Sequence, residues 1–317
     1  MKRGDLQNHA VEIIREVKKA VVGKDDVIEQ IMTAIIGGGH ILIEDMPGVG
    51  KTTMALAFSK AMGIQEKRVQ FTPDVMPADL TGFSMYQKET GRFVYQPGAV
   101  MCNLFLADEI NRTSPKTQSA LLEVMEEGCV TVDGVTRSTG RPFVVIATEN
   151  PEGSAGTQLL PESQLDRFMI CIRMGYPTVE EEVEILKRRQ MGNPVNEVQN
   201  VTGAEQILWM QEEASQVFIH DSVFEYIANL AKATREHELL TAGLSPRGTV
   251  ALAAMGRARA WLKGRNYVLP GDIQTVFGSV ALHRIRLNTK AKVGHARPEE
   301  ILEQVLMQVK EPNVRKR

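Results

Sequence analysis

The hydrophobic positions before residue 175 follow two patterns. Up to about residue 36 the apolar residues recur every three or four positions among charged ones, which predicts two helices on either side of Gly23. Later apolar runs do not alternate with polar residues; they lie at residues 40–44, 100–107 and 143–148. Because helical patterns separate these runs, the sequence predicts a parallel sheet that is sandwiched by helices.

The pattern changes after the segment Gly175-Tyr176-Pro177. Beyond it the apolar positions follow a helical period in successive stretches, and no strand is predicted. The sequence therefore predicts an α/β fold in two parts. An α/β domain would span residues 1–176, and an all-helical domain would span residues 177–317.

A glycine-rich segment joins the first apolar run to an apolar helix. Gly48 and Gly50 allow the backbone to curl, so that successive N–H groups and the start of the helix face an anion. Lys51 is then placed to neutralise the terminal phosphates of a nucleotide, and the Thr52 hydroxyl is placed to bind Mg²⁺. The usual pattern begins with glycine, where Asp45 stands in this chain. The residues predicted to contact the nucleotide phosphates are Pro47, Gly48, Val49, Gly50, Lys51, Thr52 and Thr53.

Polar residues end the second and third apolar runs. Asp108 would complete the Mg²⁺ shell, and Glu109 would orient and deprotonate the attacking water. The third run would lie between the phosphate loop and the acidic strand, so Asn150 would face the γ-phosphate or that water. In the alternative interpretation, these are ordinary polar strand ends.

Two arginines stand where they are able to act on a phosphate. Arg167 follows a loop and would reach a neighbouring subunit's nucleotide, unless it forms a local salt bridge with Asp166. Arg247 opens a helix of the second domain and would contact phosphate across the domain cleft. An arginine with no role beyond the helix start is the alternative.

The order of these motifs resembles the AAA+ superfamily and, within it, the MoxR family. The resemblance covers about residues 10–310 and rests mainly on residues 108–128, 160–168 and 244–247. Val22 and Gly23 look like the family's adenine-side segment. The resemblance implies a P-loop AAA+ core with a helical lid domain, a ring-shaped hexamer, and hydrolysis of ATP with Mg²⁺.

The resemblance also implies particular roles. Lys51, Thr52, Asp108 and Glu109 would keep the roles given above, with Asn150 as the first sensor. Arg167 would be the arginine finger that acts in trans, and Arg247 would be the second sensor. Two inserted hairpins, within residues 79–98 and 128–141, would face the ring pore or the client, although plain surface hairpins are an alternative. Relatives are implied to remodel or assemble partner proteins, including metal insertion with von Willebrand A-type proteins.

The composition argues against several other classes. The formal net charge is −2, so no general attraction to nucleic acid is expected. Cys102, Cys129 and Cys171 lie far apart, which predicts neither a disulfide nor a zinc site. No run of about 18 apolar residues occurs, so a cytoplasmic protein without a membrane span is expected.

Three functions besides a remodelling ATPase stay open at this stage. A nucleic-acid translocase would need a basic pore or an added DNA-binding domain, and neither is apparent in the sequence. A magnesium-chelatase-like motor subunit would be stimulated by a partner chelatase subunit. A nucleotide-binding scaffold without turnover would not need Glu109, Asn150 and Arg167 together.

Overall fold

The computed structural model describes residues 3–46, 48–150 and 160–313. The helices are α1 (Arg3–Ala20), α2 (Asp25–Ile36), α3 (Lys51–Met62), α4 (Pro77–Thr81), α5 (Pro115–Glu127), α6 (Glu162–Leu165), α7 (Val179–Gln190), α8 (Ala204–Ser215), α9 (Asp221–Arg235), α10 (Pro246–Leu262), α11 (Pro270–Ala281), α12 (Thr289–Val293) and α13 (Pro298–Gln308). The strands are β1 (Ile41–Glu44), β2 (Glu66–Gln70), β3 (Gly82–Gln87), β4 (Arg92–Pro97), β5 (Leu104–Asp108), β6 (Cys129–Val132), β7 (Val135–Ser138), β8 (Val144–Glu149), β9 (Ile170–Ile172), β10 (Leu240–Ala242) and β11 (Arg286–Leu287).

Five parallel strands form the central sheet, in the order β2-β5-β8-β1-β9. The strands β5, β8, β1 and β9 are almost completely buried, whereas the edge strand β2 is half exposed. The predicted parallel sheet between helices is therefore confirmed. One strand boundary is wrong: residues 100–103 form turns, in which the Val100 N–H donates to Leu80 O at 3.1 Å, and the strand begins only at Leu104.

The strand order brings several loops to one side of the sheet. β8 lies between β1 and β5, as the sequence predicts. The strands β1, β5 and β8 end at Glu44, Asp108 and Glu149, and we call this side the C-terminal edge of the sheet. Open α/β sheets bind ligands at this edge. The side where the strands begin is the N-terminal edge, and the 4 residues of β1 separate the two edges by about 13 Å.

Two antiparallel hairpins are inserted into the first half of the chain, β3–β4 and β6–β7. The second hairpin turns at Asp133-Gly134, where the φ angles are +53° and +73°. Two successive positive φ angles are typical of a type I′ turn, which matches the twist of a hairpin. The Arg137 guanidinium lies over the Tyr95 ring at 4.0 Å. The predicted hairpins therefore exist, and they contact each other.

Helices dominate the second half of the chain, as predicted. The expectation that it contains no strand is wrong, because β10 and β11 form a short antiparallel pair. Strands of 3 and 2 residues are too short to produce a recognisable sequence pattern. The domain boundary at residue 176 stays a prediction. Helices α1 and α2 contact α8 and α10, and one hydrophobic cluster contains buried residues of both halves, whereas a second cluster contains residues of the first half alone. No helix within the described ranges combines the length and the apolarity that a membrane span requires.

Candidate functional site

The loop after β1 has the geometry of a phosphate-binding loop. Gly48 and Gly50 have φ angles of +88° and +95°, which glycine adopts without the steric cost of a side chain. α3 begins directly after Gly50, so its first N–H groups face the loop. Pro47, which the sequence places among the phosphate contacts, lies outside the described residues.

Lys51 is the buried cation of this loop. Its Nζ donates to the Asp45 carbonyl oxygen at 2.6 Å and to the Glu149 carbonyl oxygen at 3.4 Å. Burial lowers the pKa of Lys51, while the nearby carboxylates, led by that of Asp45, act in the opposite direction. A partly desolvated ammonium attracts an anion more strongly than one in water, because the local dielectric constant is lower.

Two oxygen donors suited to Mg²⁺ lie beside the loop. Thr52 Oγ1 lies 3.5 Å from Asp108 Oδ2, and Thr148 Oγ1 donates to the other Asp108 oxygen at 2.7 Å. Within the described ranges, no group of three or more His, Cys, Asp and Glu side chains is arranged to hold a metal ion. The residues therefore fit a Mg²⁺ ion that is held by one hydroxyl and one carboxylate together with phosphate oxygens.

Glu109 follows β5 in an unusual backbone conformation. Its φ angle is +56°, which non-glycine residues adopt rarely and often at functional sites. Its N–H donates to Thr148 Oγ1 at 2.9 Å, and its carboxylate accepts from Gln70 Nε2 at 2.9 Å and from Arg112 Nη1 at 2.6 Å. These contacts hold the carboxylate in one orientation, as a base that orients water requires.

One polar cavity of about 310 Å³ collects the predicted residues of the C-terminal edge. Arg68 also lines it and donates to Asp108 Oδ2 from Nε at 3.2 Å and from Nη2 at 2.7 Å. Arg68 and Gln70 are not apparent as site residues in the sequence, because β2 has no apolar run. Their spacing of two places both on one face of a strand, and this spacing is the local signal of their shared position. The predicted residues that line this cavity are Gly48, Gly50, Lys51, Thr52, Thr53, Asp108, Glu109 and Asn150.

A second cavity of about 270 Å³ adjoins the same loop. Val22, Val49 and Ile185 contribute apolar lining, and the cavity shares Gly48, Gly50 and Thr53 with the polar one. Gly23 does not line it, but its φ angle is +70° and a side chain there would overlap with Glu181. A partly apolar cavity next to a polar one has the polarity that the base and the phosphates of a nucleotide require.

The Asp45 carboxylate is turned away from the phosphate positions. One oxygen accepts from the N–H groups of Met174 and Gly175, both at 2.7 Å, and the other accepts from the Met46 N–H at 2.8 Å. Three backbone N–H groups therefore stabilise the negative charge of this carboxylate. Asp45 connects the phosphate loop to the segment that leads from β9 to the helical half of the chain.

Arg167 and Arg247 lie together, but outside both nucleotide cavities. Arg167 Nη1 donates to Leu122 O at 2.6 Å, and its Nη2 lies 3.3 Å from Glu126 Oε2. Arg247 Nη2 pairs with the other oxygen of Glu126. Both arginines line a third cavity, of about 370 Å³, which also contains His40 from the N-terminal edge of the sheet.

This position differs from the sequence predictions in two respects. Arg247 does not meet the phosphate loop of its own chain across a cleft. Arg167 does not pair with Asp166, which instead accepts from Ser245 Oγ at 2.9 Å and from Arg284 Nε at 2.7 Å. Glu126 and Arg284 are not apparent from the sequence, because only long-range packing brings Glu126 to Arg167 and Arg284 to Asp166.

The fold and the phosphate site define an ATPase of the AAA+ class. Residues 40–170 match the ATPase family associated with various cellular activities (AAA), and residues 232–305 match the AAA lid domain. The chain is 38% identical to the chaperone MoxR1 of Mycobacterium tuberculosis, over 96% of this chain and 83% of that protein. It is 31% identical to the protein MoxR of Methylorubrum extorquens, over 89% of each. The chain therefore belongs to the MoxR family of AAA+ ATPases.

Two further similarities extend over nearly the whole length. The uncharacterized protein YeaC of Bacillus subtilis is 44% identical, over 97% of this chain and 96% of YeaC. The crystal structure of a proposed ATPase from Cytophaga hutchinsonii superposes with a TM-score of 0.90 at 36% identity, covering 98% of this chain and 97% of that one. The similarity to these two proteins therefore includes both the AAA+ core and the lid.

Proposed function

We propose that this chain hydrolyses Mg²⁺-bound ATP at the interfaces of a ring of identical subunits, expected to be a hexamer. The separation of the nucleotide cavities from the arginine pair carries this proposal. The phosphate loop, Asp108 and Glu109 stand at the C-terminal edge of the sheet, whereas Arg167 and Arg247 stand at the N-terminal edge, about 13 Å of strand away. The arginines therefore meet a phosphate when a second copy places its C-terminal edge against them.

Each residue at the nucleotide has a definite task in this proposal. Lys51 and the N–H groups of the loop bind the phosphates, and Thr52 and Asp108 hold Mg²⁺, which neutralises charge on the phosphate oxygens. Glu109 orients and deprotonates the attacking water, and Asn150 orients the same water or the γ-phosphate. Arg167 and Arg247 of the next subunit stabilise the charge that develops in the transition state.

Hydrolysis would serve to remodel or assemble partner proteins. The similarity to a relative named chaperone MoxR1 supports a chaperone-like role. From the MoxR resemblance, we further propose that the chain acts together with von Willebrand A-type proteins in the maturation of partner proteins or in the insertion of a metal. An AAA+ core does no chemistry on its client, so the client is selected by surfaces outside the nucleotide site.

Glu109→Gln and Arg167→Ala test this proposal together. Glu109→Gln should bind ATP but hydrolyse it at least about 10²-fold more slowly, because the amide cannot take the proton of water. Arg167→Ala should also be inactive alone. Mixing the two variants should restore part of the ATPase rate, since the Glu109→Gln subunits supply intact arginines to the intact nucleotide sites of their neighbours.

The control is Glu123→Gln, an exposed carboxylate on α5, which should hydrolyse ATP at the wild-type rate alone and when mixed. Near-normal turnover by Glu109→Gln would remove Glu109 from its role. The absence of any recovery across all mixing ratios would contradict hydrolysis at subunit interfaces.

A further inference from the structure

One carboxylate joins the two arginines of the N-terminal edge. Glu126 lies in the last turn of α5. Its two carboxylate oxygens face Arg167 and Arg247, which are 80 residues apart in the sequence. The three side chains are 42%, 30% and 45% exposed, in the order Glu126, Arg167, Arg247. They are therefore accessible from outside the chain, and their arrangement is not that of a sealed core salt bridge.

Several hydrogen bonds fix the backbone around Glu126, Arg167 and Arg247, which we call the arginine–glutamate triad. His40 Nδ1 accepts from the Val145 N–H at 3.0 Å, so its Nε2 carries the proton and donates to Met125 O at 2.9 Å. This contact fixes the residue that precedes Glu126. On the arginine side, Ser245 Oγ accepts from the Gly248 N–H at the start of α10 and donates to Asp166. The residues next to Arg167 and Arg247 are thereby linked to each other.

The anchored backbones alone would not keep the two guanidiniums close. Like charges repel, and two adjacent arginines separate unless an anion stands between them. The Glu126 carboxylate supplies that anion and leaves the triad with a net positive charge. In addition, Arg167 Nε is buried and has no hydrogen-bond partner within the described residues. The hydrogen-bonding capacity of the guanidinium is therefore not fully used in the pairing with Glu126.

A carboxylate and a phosphate bind guanidinium groups through the same kind of anionic oxygens. We infer that Glu126 is a positioning residue, which holds Arg167 and Arg247 as a pair that takes the terminal phosphate of the nucleotide bound by an adjacent copy. The phosphate replaces the carboxylate between the two guanidiniums. This inference rests on the proposed function, since it assigns the pair to a nucleotide of the neighbouring subunit.

The test uses Glu126→Gln, which keeps the shape of the side chain but removes its charge. The amide is uncharged and has a donor NH₂ group in place of the second oxygen, so it cannot present an anionic oxygen to each guanidinium as the carboxylate does. We expect kcat for ATP hydrolysis to fall by about tenfold, the effect of losing one charge-assisted contact. The KM for ATP should change less than twofold, because the phosphate loop binds the nucleotide and the arginine pair acts mainly on the charge that develops in the transition state. Glu126→Asp, which retains the charge on a shorter stem, should have an intermediate kcat.

Mixing experiments separate positioning from a general structural role. Glu126→Gln subunits should recover activity with Glu109→Gln subunits, which present intact arginine pairs to them. They should not recover with Arg167→Ala subunits, because neither variant then presents an intact pair. Recovery itself requires a folded nucleotide site, so it excludes misfolding as the cause. Glu127→Gln, at the exposed neighbouring position, should behave as the wild type does.

The outcomes distinguish this inference from the proposed function. A Glu126→Gln rate equal to or above that of the wild type would overturn the inference, and so would equal recovery with both partner variants. A Glu126→Gln protein that recovers with neither partner, while Arg167→Ala recovers with Glu109→Gln, would overturn it as well. If Arg167→Ala does not recover with Glu109→Gln, the proposed hydrolysis at interfaces fails, whatever Glu126 does.

Discussion

The two edges of the central sheet are built in different ways. At the C-terminal edge the functional residues come from a glycine loop and from strand ends that meet in one cavity of a single chain. At the N-terminal edge Arg167, Arg247 and Glu126 come from three separate segments, and their charges face outward. Under the proposed function, nucleotide binding belongs to one chain, whereas hydrolysis depends on the contact between chains.

The largest expected effect is on the affinity for ATP, which should depend on Lys51 and not on Arg167. Lys51→Ala should weaken ATP binding by about 10²-fold, because a charged hydrogen-bond donor to phosphate is lost from a buried site. Arg167→Ala should leave the affinity within about twofold of the wild type, because Arg167 of the neighbouring subunit acts mainly on the charge that develops in the transition state. Titration of a fluorescent ATP analogue measures both. Equal losses of affinity in the two variants would contradict the division of roles between the edges.

A smaller effect is expected at Asp45, which connects the phosphate loop to the segment after β9. Asp45→Asn keeps one acceptor oxygen but loses the charge that strengthens the bonds from Met174 and Gly175. We expect the free energy of unfolding to fall by about 1–2 kcal/mol and the affinity for ATP to fall with it. Asp74→Asn, at an exposed position, is the control for both urea unfolding and binding. Unchanged stability in Asp45→Asn would show that the loop does not depend on this link.

The sequence predicts the C-terminal edge well, because its signals are local. A glycine loop, a carboxylate pair and a polar strand end each lie within a few residues of a buried strand, and the parallel sheet brings strand ends together. Arg68 and Gln70 were missed because β2 is a half-exposed edge strand with Val69 as its only apolar residue. The short pair β10–β11 was missed because too few residues form it.

The N-terminal edge is predicted poorly, because packing over long sequence distances forms it. The sequence correctly places Arg247 at the start of a helix. Its position beside Arg167 depends on contacts such as the one between Ser245 and Asp166, which no local pattern contains. Because these long-range contacts are not visible in the sequence, the sequence also predicts a contact between Arg247 and the phosphate of its own chain, which the structure does not show. Helix propensity and capping locate the end of a helix, but they do not determine what that end packs against.

The two edges also differ in how their buried groups respond to pH. At the C-terminal edge, burial and then the charge of Glu44 raise the pKa of Glu149 from 4.5 to about 8, against the opposing effect of Lys51. At the N-terminal edge, burial lowers the pKa of His40 from 6.5 to about 4. The native state therefore binds a proton at Glu149 more tightly than the unfolded chain does, and binds one at His40 less tightly. Stability from Glu149 is lost as pH rises from about 4.5 to 8, and stability from His40 is lost as pH falls from about 6.5 to 4.

The smallest expected effect concerns Glu149 alone and its contribution to the pH dependence of stability. Glu149→Gln is neutral at every pH, so its melting temperature should decline less than that of the wild type between pH 6 and pH 8.5, a window set by the raised pKa of about 8. Below about pH 5 the two proteins should show similar losses, because His40 is present in both. Glu123→Gln, which is exposed, should follow the wild-type profile throughout. Parallel melting profiles for Glu149→Gln and the wild type would mean that Glu149 is ionised in the native state at neutral pH, and that Lys51 offsets its burial.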